Sequence, residues 1–185
     1  MSKVSIYISY LLRHHPEEAH LEMDEHGWVN TQLLIDGINQ YSQYKMNANT
    51  LEEIVRTDEK GRYIYNEDHS KIRACQGHSV PWVIPHMTYP EVPDYLYHGT
   101  NTEAVEQIVQ SGAISKMKRH AVHMQADVEK AWKSAMRWKK KVPVVLMIDA
   151  RQMVKDGYKI GKTDNDVWCV ESVPIQYIIS EQRAG

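Results

Sequence analysis

Arg13 and His14 stand together at the end of a predicted helix, just before His15 and Pro16, where the helix must stop. A guanidinium presents a planar set of donors to phosphate oxygens, and an imidazole donates or accepts a proton near neutral pH. The pair therefore suits the binding and turnover of an anionic substrate. The alternative is structural, because basic residues in the last turn of a helix also stabilise its dipole.

A second candidate lies in residues 72–79, where strand alternation turns Arg73 away from Ile72, Ala74 and the core. A run of donors and a glycine that a ligand can approach closely follows: Gln76, Gly77, His78 and Ser79. These residue types suit a pocket for an anion. A solvated strand end with turn residues explains them equally well.

A third candidate, Tyr97-His98-Gly99-Thr100, reads as a strand that ends near the start of a helix, where phosphate oxygens bind readily. Its glycine and threonine also suit an ordinary turn. The fourth, residues 119–123, alternates so that Arg119 and His123 share one side of a predicted strand. The spacing of His120 and His123 invites a metal, but a zinc site needs further ligands at matching spacing, so we expect none.

The elements that position these residues fall into two lobes. Three helices and a hairpin of strands Tyr63-Ile64-Tyr65 and Lys71-Ile72-Arg73-Ala74 predict a winged-helix-like lobe over residues 1–80. Four of the seven prolines occur in residues 81–93, which predicts a stiff linker. Strands with two intervening helices, the first ending at Gly112 and the second capped by Asp127, predict an α+β lobe over residues 94–185.

Composition limits the class of protein. With 185 residues, 42% of them hydrophobic, the chain can bury a core and is not expected to be disordered. The chain has only two cysteines, which lie far apart in the sequence, and we see no signal peptide. Both observations argue against a disulfide framework and for a reduced, cytoplasmic setting. No run of 18 apolar residues occurs, so we expect no membrane segment.

The charge distribution is uneven. A net charge of −2 argues against a general nucleic-acid coat. Residues 116–141, however, include nine basic residues and only two acidic ones. The basic residues are Lys116, Lys118, Arg119, Lys130, Lys133, Arg137, Lys139, Lys140 and Lys141, and the acidic ones are Asp127 and Glu129. Any surface that attracts polyanions should therefore lie mainly on the second lobe. A solvated helix end is the alternative for Lys139 to Lys141.

Taken together and in this order along the chain, the candidate segments resemble those of a known family, the tRNA 2′-phosphotransferases. These are NAD-dependent enzymes that remove an internal 2′-phosphate from RNA. Six stretches between about Ser9 and Pro174 carry the resemblance: LLRHHPEEAHLEMDEHGWV, IRACQGHS, YLYHGTNTEAVEQIVQSGAI, RHAVHM, PVVLMIDA and VWCVESVP. The resemblance implies a winged-helix-like RNA-binding lobe and an NAD-binding lobe of the ADP-ribosyltransferase fold with a split, mainly antiparallel sheet. We expect a monomer whose partners are NAD and RNA bearing a 2′-phosphate.

The reaction implied by the resemblance has two steps. The RNA 2′-phosphate displaces nicotinamide from NAD, and the neighbouring ribose hydroxyl then attacks the phosphorus, releasing 2′-hydroxyl RNA and ADP-ribose 1″,2″-cyclic phosphate. The family's catalytic set matches four positions: Arg13, His14, Arg73 and Arg119. The residues expected to bind the RNA phosphate are Arg13, His14, Arg73, Gln76, Gly77, His78 and Ser79. Those expected to bind NAD are Tyr97, His98, Gly99, Thr100, His123 and Val167.

Two other functions compete with this one. A related ADP-ribosyltransferase would stop after the first step and leave ADP-ribose on a nucleic-acid or protein acceptor. A non-catalytic winged-helix RNA binder would keep the fold alone. Both predict losses among Arg13, His14, Arg73 and Arg119, and all four residues are present.

Overall fold

The computed structural model describes residues 2–117, 119–138 and 140–184. These form two compact units, one through His86 and one from Met87 onward. Residues 81–86 of the predicted linker belong to the first unit and residues 87–93 to the second. Lys118 and Lys139, two members of the basic stretch, lie outside the described residues.

The first unit begins with helices and ends with a hairpin. Its elements are α1 (Lys3–Arg13), a 3-10 turn (Pro16–Ala19), β1 (Val29–Asn30), α2 (Thr31–Tyr41), α3 (Ala48–Arg56), β2 (Tyr63–Tyr65) and β3 (Lys71–Ala74). The side chain of Asn30 caps α2 by accepting the Leu33 N–H. Helix α3 is capped by Asn47, not by the expected Asn49-Thr50, because the Asn47 side chain accepts the Thr50 N–H.

The three strands of this unit form one antiparallel sheet in the order β1-β3-β2. Its core is built from the apolar faces of the helices and from alternate residues of β3, and the most enclosed members include Ile8, Leu11, Leu12, Leu34, Ile38, Leu51 and Ile72. The helices and the sheet therefore fix the end of α1 and the residues around β3 as parts of one core.

The second unit contains eight strands and three helices among its described residues. They are β4 (Tyr95–Asn101), α4 (Thr102–Ser111), β5 (Ala113–Ser115), β6 (Val122–Met124), α5 (Val128–Ala135), β7 (Pro143–Asp149), α6 (Ala150–Lys155), β8 (Gly161–Lys162), β9 (Trp168–Val170), β10 (Ser172–Pro174) and β11 (Ile178–Arg183). Helix α6, capped by Asp149, adds a third helix to the two that were expected.

Three antiparallel sheets result, in the orders β11-β7-β4, β6-β9-β8 and β10-β5. The apolar strand β7 occupies the centre of the first sheet, as its run of valine, leucine and isoleucine predicts. The α+β class is thus confirmed, while the winged-helix-like and ADP-ribosyltransferase-like assignments stay predictions. No helix in the described ranges is both long and apolar enough to cross a membrane.

Helix α5 packs unusually closely on β4, and Gly99 makes this possible. A Cβ placed on Gly99 would overlap the carbonyl oxygen of Ala131 and would lie 2.9 Å from the Ala135 nitrogen. Ala131 and Ala135 are fully buried on the same side of α5. The missing side chain at Gly99 therefore serves helix packing, which the sequence pattern did not indicate.

Candidate active site

The end of α1 and the segment after β3 meet in the first unit. His14 Nδ1 lies 2.8 Å from Ser79 Oγ, and the Ser79 N–H donates to the carbonyl oxygen of Arg13 at 2.8 Å. The contact between His14 and Ser79 joins residues 65 positions apart in the sequence. The structure thus brings Arg13 and His14 of the first candidate segment together with Ser79 of the second and orients the His14 ring.

Arg13 lies over the backbone of Gly77. A Cβ on Gly77 would stand 3.6 Å from Arg13 Nη1, an ordinary contact distance, so the guanidinium lies against this residue, while the φ of +85° is what favours glycine here. The Nε and Nη2 atoms of Arg13 are buried and make no hydrogen bond to any residue that the structure describes. Burial lowers the pKa of Arg13, but an arginine stays protonated in proteins. A buried cation with unused donors is the chemistry that an anion such as phosphate satisfies.

We call Arg13, His14, Gly77 and Ser79 the Arg13 cluster. Arg73 belongs to β3, just before the segment that supplies Gly77 and Ser79. Its guanidinium carbon lies 4.4 Å from the centre of the Trp28 ring, and only 7% of the residue is exposed. The expectation that Arg73 turns away from the core did not foresee that an indole would cover it. Stacking on an aromatic face holds a guanidinium in place while keeping its donor edge available.

The remaining residues of the second segment differ in access to solvent. Ser79 is exposed and Gln76 is half-buried, whereas His78 is 1% exposed. A Cβ on Gly27 would lie 2.9 Å from His78 Nε2, so this histidine packs against the turn before Trp28. The phosphate-binding roles of Gln76 and His78 stay predictions.

His98 in the second unit has a fixed tautomer. Its Nδ1 lies 2.9 Å from the carbonyl oxygen of His123, which can only accept, so Nδ1 carries the proton and Nε2 presents a lone pair. Strand β4 reaches β6 through the reciprocal Tyr97 and Gln125 backbone hydrogen bonds, each 2.8 Å. Burial, together with the charge of Arg119, holds the pKa of His98 below its ordinary value and favours the neutral ring.

Thr100 is buried in β4, opposite Val144 of β7, and is not part of the helix that follows. The N-terminus of α4 is capped by Asn101, whose side chain accepts the Ala104 N–H at 3.1 Å. The protein thus caps this helix itself, which weakens the comparison with a phosphate-binding helix start.

The expected strand over residues 119–123 is wrong in its first half. Strand β6 begins only at Val122, and Arg119 lies in the preceding turn, where its N–H donates to the Lys116 carbonyl at 3.0 Å. The alternation that was to place Arg119 and His123 on one side therefore does not apply. The turn projects Arg119 into solvent as an exposed side chain.

Val167 is buried in a small cluster with Ala121 and Cys169. A turn holds it in place, because Thr163 and Val167 exchange backbone and side-chain hydrogen bonds of 2.9 to 3.2 Å. Burial raises the pKa of the neighbouring Cys169 thiol to about 12. No group of three or more His, Cys, Asp or Glu residues in the described parts of the chain could hold a metal ion.

Comparison with known proteins identifies the family of this chain. Residues 1–172 match the model of the family described as "RNA 2'-phosphotransferase, Tpt1 / KptA family". A protein of Fusobacterium nucleatum named "Probable RNA 2'-phosphotransferase" is 41% identical over 178 residues, which cover 95% of this chain and 96% of that protein. One of the same name from Flavobacterium johnsoniae is 38% identical over 95% of this chain and 93% of its own length. The chain therefore belongs to the RNA 2′-phosphotransferase family.

Proposed function

We propose that this protein removes an internal 2′-phosphate from RNA by transferring it to NAD, with nicotinamide, 2′-hydroxyl RNA and ADP-ribose 1″,2″-cyclic phosphate as products. Membership of the family supports the reaction at the RNA 2′-phosphate. The Arg13 cluster supports it most directly, because a buried guanidinium with two unused nitrogen donors lies beside an oriented imidazole.

In the first step an oxygen of the 2′-phosphate forms a bond to the anomeric carbon of the nicotinamide ribose, and the bond to nicotinamide breaks. The phosphate is already ionised, so the protein need not remove a proton and mainly aligns the reactants. Arg13 and Arg73 are suited to this task. Both guanidiniums are held by packing, one over Gly77 and the other on Trp28.

In the second step the hydroxyl next to the new bond on the ribose of the ADP-ribose attacks the phosphorus, and the bond from phosphorus to the RNA 2′-oxygen breaks. The hydroxyl loses a proton and the departing oxygen gains one. His14 is the group that we assign to this transfer, because an imidazole exchanges protons near neutral pH and the contact with Ser79 orients its ring beside Arg13. Arg13, Arg73 and Arg119 offset the negative charge that grows at phosphorus.

The second unit contributes the residues that we assign to NAD. The neutral His98 ring can accept a hydrogen bond at Nε2 from a ribose hydroxyl, since its Nδ1 proton is engaged by the His123 carbonyl. Tyr97 and Thr100 lie beside it on β4, and Val167 precedes β9, the partner of β6. Gly99 lies between His98 and Thr100 on the same strand and packs against α5.

Incubation with NAD and an oligoribonucleotide bearing one internal 2′-phosphate tests the proposal. We expect 2′-hydroxyl RNA and the cyclic phosphate of ADP-ribose in equal amounts. A stable ADP-ribosylated RNA would instead indicate a one-step transferase, and an absence of NAD consumption would refute the reaction. RNA without the 2′-phosphate is the substrate control.

His14→Ala tests the assignment of the proton transfer. We expect the ADP-ribosylated RNA to accumulate, because the first step does not need the imidazole. The neighbouring variant His15→Ala is the matched control, since the His15 side chain stacks on Tyr10 and contacts Glu17 at the surface. Normal turnover in His14→Ala, or equal loss in both variants, would contradict the assignment.

A further inference from the structure

Helix α5 and the turn that follows it form a strongly basic surface in the second unit. Between Val128 and Val142 the sequence has six basic residues and one acidic residue, Glu129. The spacing of Lys130 and Lys133 puts them on one side of α5, Arg137 follows the end of the helix, and all three residues are exposed. Lys140 is exposed in the turn beyond. We call Lys130, Lys133, Arg137, Trp138 and Lys140 the α5 basic face.

The opposite side of α5 is already occupied. Ala131 and Ala135 are fully buried where the helix packs on Gly99 of β4. An amphipathic helix that binds a membrane needs a free apolar side to insert between lipids. With eight residues and its apolar side buried, α5 offers no such side. A polar, anionic partner suits this surface better than a lipid bilayer.

Several carboxylates of this region have other partners. Asp127 caps the start of α5, and Glu103 pairs with Lys141. Asp166 attracts Lys130 electrostatically, but its ion pair, at 2.8 Å, is with Lys162. Lys133 and Lys140 form no ion pair with any residue within the described ranges.

The helix dipole explains only part of the pattern. Cations near the C-terminus stabilise a helix, and Arg137, just beyond α5, donates from Nε to the Ser134 carbonyl at 3.2 Å and from Nη2 to the Ser134 hydroxyl at 2.6 Å. Lys140 lies beyond the helix, and the dipole does not require an indole at Trp138, which is 53% exposed. Exposed aromatic rings among cations are typical of surfaces that bind single-stranded nucleic acid.

We propose that the α5 basic face binds single-stranded RNA, with the lysines and Arg137 on the phosphates and a base stacked on Trp138. This inference rests on the proposed function in one respect, namely that the RNA is the strand flanking the 2′-phosphate. It adds a binding surface outside the residues assigned to the reaction. Longer RNA should therefore bind more tightly than a trinucleotide that contains the reacting phosphate alone.

The test uses the full-length protein and unmodified single-stranded RNA of about 20 nucleotides, longer than a typical single-strand site. Fluorescence anisotropy measures affinity as salt is varied. For Lys133→Gln/Lys140→Gln we expect affinity to fall about tenfold and the slope of log affinity against log salt to lose about 1.4 in magnitude. Trp138→Ala should weaken binding about tenfold with little change in the slope.

The matched control is Lys155→Gln/Lys159→Gln, which removes the same charge from exposed positions on and after α6. Unchanged affinity in the test variant, or an equal fall in the control, would overturn the proposal. Binding of the wild-type protein to phosphatidylglycerol vesicles but not to RNA would overturn it in favour of a membrane surface.

A second readout connects the surface to turnover. We expect the ratio of kcat/KM for a long 2′-phosphorylated RNA to that for the 2′-phosphorylated trinucleotide to fall about tenfold in Lys133→Gln/Lys140→Gln. An unchanged ratio would show that any RNA bound there is not the substrate strand. If the wild-type protein turned over neither RNA, the proposed reaction would fail, while the anisotropy measurement would still decide whether the surface binds RNA.

Discussion

Replacement of Gly99 by alanine should destabilise the second unit through a collision of main-chain atoms. The new methyl group would overlap the Ala131 carbonyl oxygen, and it would lie 2.9 Å from the Ala135 nitrogen and 3.0 Å from the Ala131 carbonyl carbon. Because these atoms belong to the backbone of α5, no side-chain rotation can relieve the contact. The helix must move away from β4, and overpacking of this kind costs about 3 kcal/mol at the upper end of its usual range.

Urea unfolding followed by circular dichroism measures this loss, and the midpoint of thermal unfolding should fall by roughly 10 °C. Gly112→Ala is the control. Gly112 has a φ of +79° at the end of α4, and, apart from Gly112 and its neighbours in the chain, no described residue has an atom within 4 Å of the position that the new methyl group would take. Its replacement therefore costs only backbone strain, about 1 kcal/mol. A loss in Gly99→Ala no larger than that in Gly112→Ala would refute the packing argument.

Three further predictions concern single side chains. The folded protein lowers the pKa of His98 below its ordinary value of 6.5, so the neutral ring favours the folded state above that pH and its protonation opposes folding below it. The variant His98→Asn keeps a donor for the His123 carbonyl but does not titrate. Its free energy of unfolding, measured in urea titrations, should therefore depend less on pH between about pH 7 and about pH 5. Trp28→Ala should lower turnover about tenfold by releasing Arg73, whereas Trp28→Phe should retain most activity; equal losses in steady-state assays would contradict a role for the aromatic face. Cys169 should resist iodoacetamide at about pH 8 in the native protein and react in urea, as peptide mass spectrometry can determine, because burial raises its pKa to about 12.

Local chemistry made much of the fold predictable. The hairpin strands Tyr63–Tyr65 and Lys71–Ala74 have the expected bounds, because alternating side chains and a polar turn specify a hairpin over a short range. The caps at Asn30 and Asp127, and the left-handed Gly112, were also identified correctly. Each of these features depends on only a few neighbouring residues.

Features that depend on distant neighbours were not foreseen. Strands β5, β8 and β10 have two or three residues each, too few to show a period, and they exist because a partner strand supplies their hydrogen bonds. The stacking of Trp28 on Arg73 joins a residue before β1 to one on β3, and nothing in either local sequence announces it. The packing of Gly99 against Ala131 also depends on a distant neighbour. The sequence alone cannot distinguish a glycine that makes room for a helix from one that makes room for a ligand.

Arg119 shows how an alternating pattern can predict the wrong local structure. The alternating pattern of residues 119–123 suits a strand, yet strand β6 starts at Val122, and the Lys116 carbonyl accepts the Arg119 N–H in a turn. A hydrogen bond across three residues favoured the turn over extension of the strand. The assignment of Arg119 to the reaction therefore depends on its match to the family pattern, not on strand geometry.

The fate of the phosphorus atom tests the central claim most directly. An oligoribonucleotide with a radiolabelled internal 2′-phosphate is incubated with the protein and NAD, and the products are separated by chromatography. We expect the label to leave the RNA and appear in ADP-ribose 1″,2″-cyclic phosphate, one label for each nicotinamide released. Release of the label as inorganic phosphate, or its departure from RNA without nicotinamide, would contradict the proposed transfer to NAD.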